Sequence, residues 1–420
     1  MNGIVKNIGW LVIDKFLILF LQFFVGVKVA NYYGGELYGE YAYAMAIVAF
    51  SPILLEVMNS RVIKEFYEND FNKTVSVVTT FKNILAILIF IGILLCYPFF
   101  INFKELYFMI LLLAFDNVLV TSTMGIENYF EFKLLSKNMV IANNAVKITS
   151  YLAQYIGILM GYSIFMIPII RIFGSFLRMI ILKKSYFKNF GLKVRYIFDR
   201  KLIETIIKDS YYLWVSFIAF IIYTQIDKIM IGEMLGMEDV GIYSIAIQLS
   251  GILAILIVPF QNSVYPKMME LYRKSYREYS KLYLKSNTIF TQIYLFISLL
   301  SIVVVKFLFP YIYAKEYFPA IACYSILTIS VFFKANGALQ TGHMTLKKIT
   351  KKSFYKTVFG LILNITLNMI LIPKFGVKGA AIATSVTQVF TIFIVDFFIK
   401  DYREQFYVQL KSFNPLNIKG

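Results

Sequence analysis

Long apolar runs constrain this chain more than anything else in it. Twelve segments are dominated by apolar residues: 10–30, 39–59, 81–101, 106–124, 139–160, 163–182, 211–231, 242–265, 289–308, 318–339, 355–373 and 378–399. A hydrocarbon core about 30 Å thick takes about 20 such residues in a helix. The runs are continuous, whereas a barrel strand would alternate with period two over about ten residues, so helices are expected. Soluble domains are about 45–50% apolar and about 25% charged. Here 59% of the 420 residues are hydrophobic and 16% charged, too much apolar surface for one water-facing core. The expected fold is an all-α multi-pass membrane protein. The opening MNGIVKNIGW runs into its apolar segment without a small-residue cleavage site, as an uncleaved first helix would.

A repeat organises these segments. Gly34, Glu36, Gly39, Tyr41 and Ala44 recur 202 positions later as Gly236, Glu238, Gly241, Tyr243 and Ala246. Each set lies in the first hairpin of one half of the chain, which implies duplication with both halves inserted in the same orientation. Two pseudo-symmetric six-helix bundles are expected, 1–182 and 211–399, joined by a basic linker, 183–210, with a tail from 400 to 420. An even number of helices puts both termini on one side. Lys and Arg crowd into the loops of that side, while the opposite loops hold only Lys104, Lys315, Lys374 and Lys378. The positive-inside rule then makes both termini cytoplasmic in the cytoplasmic (inner) membrane. The net charge of +18 is accordingly a topology signal, with an anionic-lipid contact as its second use, and nucleic acid is not needed to explain it.

Charge at bilayer depth costs roughly 2.5–3.5 kcal/mol per residue on insertion scales, so polar residues there are candidate functional groups. Asn143, Lys147, Ser150 and Gln154 draw one stripe along the fifth segment, at spacings of 4, 3 and 4. Arg171 lies at the middle of the sixth, with Arg178 nearer its basic end. Asp116, Asn117 and Thr121 mark the fourth, and Thr224, Asp227 and Lys228 the seventh. Gly360, Asn364 and Asn368 share a face of the eleventh. Asn, Ser and Thr in membrane helices also serve simply to hold helices together. Arg171 keeps its proton and needs an acid, water or an anionic ligand, and a purely structural pair with Asp116 is one solution. Lys28, Lys306, Lys334, Glu56 and Asp396 lie near helix ends, where snorkelling is expected. Lys228 pairs with Asp227 or snorkels, and Asp14 and Lys15 form a local pair. Taken together, Lys147, Arg171 and Lys228 suggest a wet cavity with cationic walls between two lobes, suited to phosphate or carboxylate.

Three stretches carry a resemblance. NIGWLVIDKFLILFLQFFVGVKVANYYGGELYGEYAYAMAIV resembles the opening of the Wzx-type polysaccharide-biosynthesis flippases, which belong to the multidrug/oligosaccharidyl-lipid/polysaccharide exporter superfamily. DKIMIGEMLGMEDVGIYSIAIQL with PFQNSVYPKM resembles their seventh and eighth helices, and IPKFGVKGAAIATSVTQ their eleventh-to-twelfth turn. The resemblance covers essentially the whole chain. It implies twelve helices in two bundles working by alternating access, as a monomer. The implied substrate is an oligosaccharide on undecaprenyl pyrophosphate, flipped to the outer leaflet to supply O-antigen, lipopolysaccharide or capsule assembly alongside a polysaccharide polymerase. Lys147, Arg171, Lys228, Asn143, Gln154, Asn364 and Asn368 are then the candidate substrate-binding residues, with Asp116 and Asp227 as candidate coupling groups.

Two other classes stay in view. A cation-coupled drug exporter of the same superfamily would want acidic residues to dominate the cavity, and the deep charges here lean basic. A membrane glycan polymerase would want a long outer loop carrying catalytic groups. No outer loop exceeds about a dozen residues, and the single His343 falls on the basic side. A channel lacks any selectivity-filter signature. Cys96 and Cys323 sit inside apolar runs as packing residues, and no cofactor or metal is expected.

Overall fold

The structure is a computed structural model that describes residues 2–100, 102–133, 135–349 and 353–418. The side chains of residues 2–17 and a few scattered positions fall outside the description, so the expected Asp14–Lys15 pair lies outside the described residues. No β-strand occurs among the described residues. The chain divides into two compact units, Met1–Ile221 and Ile222–Gly420.

The first unit comprises α1 (Asn2–Val48), α2 (Ser51–Leu55), α3 (Ser60–Leu95), α4 (Lys104–Thr121), α5 (Met124–Phe132), α6 (Ser136–Leu159), α7 (Met166–Phe190) and the first part of α8 (Arg200–Met234). Its main packing pairs are α6 with α7, α4 with α7, α3 with α4 and α5, and α1 with α4 and α6. α3 breaks at Asp70 (φ −149°, ψ 93°), whose Oδ1 accepts from the Lys73 amide at 3.0 Å and so caps the helix as it restarts.

The second unit holds the rest of α8, then α9 (Met237–Leu253), α10 (Ile257–Lys274), α11 (Tyr276–Ile312), α12 (Pro319–Asn336), α13 (Gln340–Leu346), α14 (Ser353–Phe375), α15 (Val377–Val389), α16 (Val395–Phe398) and α17 (Arg403–Lys411). α11 starts on the sequence Ser-x-x-Glu, and Ser275 Oγ accepts from the Glu278 amide at 3.4 Å. α14 packs on α15, and α12 packs on α9, α11 and α15. Small side chains on α15 (Ala380, Ala381, Ala383, Thr384, Ser385) are buried, which lets these backbones approach closely.

The repeat is visible in the backbone. Gly34 (φ 78°, ψ 171°) breaks α1, and Gly236 (φ 119°, ψ 176°) separates α8 from α9. Both glycines occupy a region open essentially to glycine alone, so the duplicated residue marks a duplicated turn.

α11 shows which solvent the helices face. Phe296, Leu299, Val303 and Phe307 recur every three or four residues and stay exposed, while Phe290, Tyr294 and Ser298 are buried. Water would penalise that outward stripe, whereas lipid accepts it. Eight helical stretches are long and apolar enough to cross a membrane, nine if the bent pair α4–α5 (44°) is one span. The difference from the twelve expected has physical causes. The first stretch, Ile18–Leu55, takes in two of the expected segments across the Gly34 break. The helices α6 and α7 are not among the eight, and they carry Asn143, Lys147, Gln154, Arg171 and Arg178.

Candidate functional site

Unit 1 gathers its deep charges where α4, α6 and α7 meet. Asp116 on α4 is 2% exposed. Arg171 on α7 donates to Asp116 Oδ2 through Nε at 3.3 Å and Nη2 at 3.1 Å, and Ser175, one turn on, donates to Oδ1 at 2.5 Å. Nη1 of Arg171 points at Met45 Sδ (3.2 Å), and the guanidinium also hydrogen-bonds Tyr41 on α1. About a third of the Arg171 side chain is still exposed (34%) while it neutralises Asp116. Toward the basic end of α7, Arg178 meets Glu127 at 2.5 Å, donates to Asn143 Oδ1 at 2.6 Å and reaches Thr123 Oγ1 at 3.3 Å.

The stripe on α6 is therefore divided. The Asn143 side-chain oxygen is engaged by Arg178, and Gln154 is buried. Lys147 is exposed, with no carboxylate at ion-pair distance among the described residues. A Cβ on Gly174 would lie 2.9 Å from Val146 and 3.0 Å from Ser150, so α6 and α7 touch within about a turn of both Lys147 and Arg171.

Unit 2 gathers polar groups around one carboxylate. Asp227 on α8 is 5% exposed. Its Oδ2 accepts from the Tyr243 hydroxyl of α9 at 2.6 Å and from Thr384 of α15, and its Oδ1 accepts from Asn368 Nδ2 of α14 at 2.7 Å. Asn364, one turn before, accepts from the same Asn368 amide at 3.2 Å. Asn364 and Asn368 do share a face as their spacing requires, but both are fully buried and directed at this carboxylate. Lys228 follows in the chain, partly buried, and Lys334 on α12 lies within electrostatic reach of Asp227. No cation bonds Asp227 directly among the described residues, so all of its hydrogen-bond donors are neutral. These neutral donors offset the cost of burying the carboxylate.

Sequence reasoning missed the partners that come from distant helices. Thr384 carries no signal of its own beyond lying in an apolar segment, and Tyr243 is marked in the sequence only by its place in the repeat. Glu56 and Asp396, expected to snorkel, instead sit in buried pairs: Lys82 Nζ meets Glu56 at 3.3 Å with the lysine side chain 1% exposed, and Lys356 bonds Asp396, which is fully buried. Gln340 and Gln405 each donate to the other Asp396 oxygen at 2.7 Å, so the carboxylate ties α13, α14, α16 and α17 together. Nearby, Glu404 of α17 accepts from Lys347 and Tyr276, and His343 Nε2 stands 3.9 Å away. Burial acts to raise the Glu404 carboxyl, but the hydrogen bonds from Lys347 and Tyr276 outweigh it and hold the group below the ordinary glutamate value.

Residues 4–272 match the model of a family described as polysaccharide biosynthesis protein. The chain is a member of that family. Two uncharacterized membrane proteins of Methanocaldococcus jannaschii are each 25% identical to it, one over 351 residues and 80% of this chain, the other over 309 residues and 70%. The match spans 63% of the first relative's length and 71% of the second's. Among solved structures, the inward closed conformation of the lipid II flippase MurJ aligns with this family member at TM-score 0.73 and 18% identity. It covers 96% of this chain and 90% of that one. An inward-facing multidrug resistance MATE family transporter of the MOP superfamily aligns at 0.64 and 16%, covering 95% and 99%. At these identities the likeness establishes the fold: this family member is a multi-pass helical membrane protein built like MurJ and the MATE transporters.

Proposed function

We propose that this protein flips a lipid-linked oligosaccharide, a short glycan on undecaprenyl pyrophosphate, from the cytoplasmic to the outer leaflet by alternating access. It would work as a monomer in the cytoplasmic membrane, with both termini cytoplasmic, and would supply the polymerase machinery of a surface polysaccharide such as O-antigen or capsule. The observation that carries the reading is the agreement of two independent likenesses over one chain. A polysaccharide-biosynthesis family covers residues 4–272, and the fold of a lipid II flippase covers 96% of the length.

The unit 1 geometry supports it chemically. Lys147 presents an exposed ammonium with no carboxylate partner among the described residues, and Arg171 a partly exposed cation that Asp116 holds in place; a pyrophosphate needs such cationic donors. Gln154 and the Asn143 amide are suited to sugar hydroxyls. Asp227 in unit 2, ringed by neutral donors, would load and release a proton or cation as the cycle turns, and Lys228 beside it would sense that change.

A cation-coupled drug exporter is the second reading, favoured by the MATE likeness and by the buried Asp227. One experiment separates the two. Cells lacking the gene should lose surface glycan and accumulate its lipid-linked precursor, and wild-type protein should restore both while Lys147→Ala or Asp227→Asn restores neither. Intact glycan together with new drug sensitivity would replace the flippase by the exporter.

A further inference from the structure

Six described cations of unit 1 stand in ion pairs. Lys64 meets Glu131, Lys73 meets Asp199, Lys82 meets Glu56, Arg171 meets Asp116, Arg178 meets Glu127 and Arg200 meets Glu204. Among the cations without such a partner, four lysines stand together. Lys183, Lys184, Lys188 and Lys193 have no carboxylate within ion-pair distance among the described residues, and all four line one groove of about 570 Å³ with Thr79, Phe187, Val194 and Tyr196.

The groove is built, not a loose basic surface. α7 ends at Gly191 in a left-handed turn, and the chain then runs extended against α3. The Arg195 amide donates to Ser76 Oγ at 3.2 Å and the Ile197 amide to Thr80 Oγ1 at 3.1 Å. Asp199 closes the segment by pairing with Lys73 at 2.6 Å while accepting from the Leu202 amide at 3.1 Å. These tethers hold Lys193 opposite the three lysines of α7, and its ammonium lies 5.7 Å from the Phe187 ring centre. The four lysines bring their positive charge to one groove, where an anion can pair with it.

We propose that this groove binds the phosphate of an anionic phospholipid headgroup. The rim argues for a lipid rather than a soluble anion. Tyr196, Phe198 and Phe187 are 77%, 63% and 49% exposed beside the lysines, and a site for a free anion has no use for an apolar rim. Aromatic rings next to cations are what the headgroup zone of a bilayer accommodates. The groove also lies at the basic end of α7, where juxtamembrane lysines meet anionic lipid. The inference stands independently of what the protein transports.

The test is native mass spectrometry of the purified full-length protein titrated with phosphatidylglycerol. A lysine near an anionic surface is worth roughly a factor of five in affinity. The triple variant K183Q/K188Q/K193Q should therefore bind phosphatidylglycerol at least about tenfold more weakly, while the charge-matched R277Q/K281Q/K285Q should stay within about twofold of wild type. Weak binding of zwitterionic phosphatidylcholine should not change in either. Among the described residues the substituted groups make no hydrogen bond or ion pair, and an unchanged melting temperature confirms the fold; K188Q alone, with about a fivefold loss, serves if the triple variant melts early. Phosphatidylglycerol affinity unchanged in the triple variant would overturn the proposal. So would lysine-dependent binding of inorganic phosphate as tight as that of the lipid, which would assign the groove to a soluble anion.

Discussion

The Arg171–Asp116 pair decides how the cationic wall of unit 1 must be tested. Removing Arg171 alone leaves Asp116 2% exposed without its cation, with the Ser175 hydroxyl as its remaining strong donor. Breaking a buried ion pair from one side costs about 3–5 kcal/mol. Because the Arg171 side chain is 34% exposed, the lower part of that range is expected. For a unit of this size each kcal/mol moves the melting temperature by about 2–4 °C, so Arg171→Ala should melt roughly 6–15 °C early. Its loss of glycan would then report lost protein as much as lost grip. Replacing both partners, as R171M/D116L, removes the stranded charge and leaves the Ser175 hydroxyl to find another acceptor, at about 1–2 kcal/mol.

The cycle is read by thermal melts in detergent and by surface glycan in the deletion strain, with membrane protein quantified in both. The double variant should melt within about 5 °C of wild type and above either single variant, giving a coupling of at least about 2 kcal/mol. If it is stable yet makes no glycan, Arg171 acts on the substrate; if it restores glycan, Arg171 serves structure and Lys147 carries the grip alone. Lys147→Ala, exposed and without an acid partner, should lose glycan at an unchanged melting temperature. Strictly additive single and double variants would refute the physical account of the pair.

Two further predictions follow from the backbone and from the C-terminal helix. Gly236→Ala should lower the melting temperature through backbone strain of about 1–3 kcal/mol, because a Cβ there meets no atom within 4 Å and only the φ of 119° opposes it; a wild-type melt would contradict that. Glu404 has a depressed carboxyl, so its contribution is fully present above the unfolded glutamate value of about 4.3 and is lost as pH falls through the lower folded value. Hydrogen exchange in residues 403–411 should therefore stay slow through neutral and mildly acidic pH and accelerate only below about 4.3, while Glu404→Gln should exchange faster already at pH 7.

Much of the frame was readable because it rests on local rules. Apolar length announces the helices, and Gly34 and Gly236 announce the repeated turn because no other residue tolerates that backbone. Asn364 and Asn368 follow from a spacing of four. The Arg171–Asp116 pair was readable as one solution, because a mid-segment arginine needs an acid, and the structure forms it across 55 residues. The other pairings were not readable, for they depend on which helices touch: 26 residues separate Lys82 from Glu56 and 40 separate Lys356 from Asp396. Proximity to a helix end made snorkelling the natural expectation for Glu56 and Asp396, and tertiary packing supplied a buried cation to each instead. Counting apolar segments also overstates the helices that qualify alone, since the polar residues that make α6 and α7 interesting are what lowers their hydropathy.

Duplication did not copy the charges. Tyr41 and Tyr243 stand 202 residues apart at equivalent positions, and each hydroxyl reaches the deep charged group of its own unit. Yet Tyr41 serves a guanidinium from α7 and Tyr243 a carboxylate from α8, positions the repeat does not relate. A tyrosine hydroxyl both donates and accepts, so one repeated scaffold can steady charge of either sign. On the proposed function this asymmetry divides the labour. Unit 1, with Lys147 and Arg171, handles an anionic headgroup, and unit 2, with Asp227 among neutral donors, handles the small cation or proton that resets the cycle. Asp227→Asn should accordingly abolish coupling while leaving headgroup binding intact, and Lys147→Ala should do the reverse.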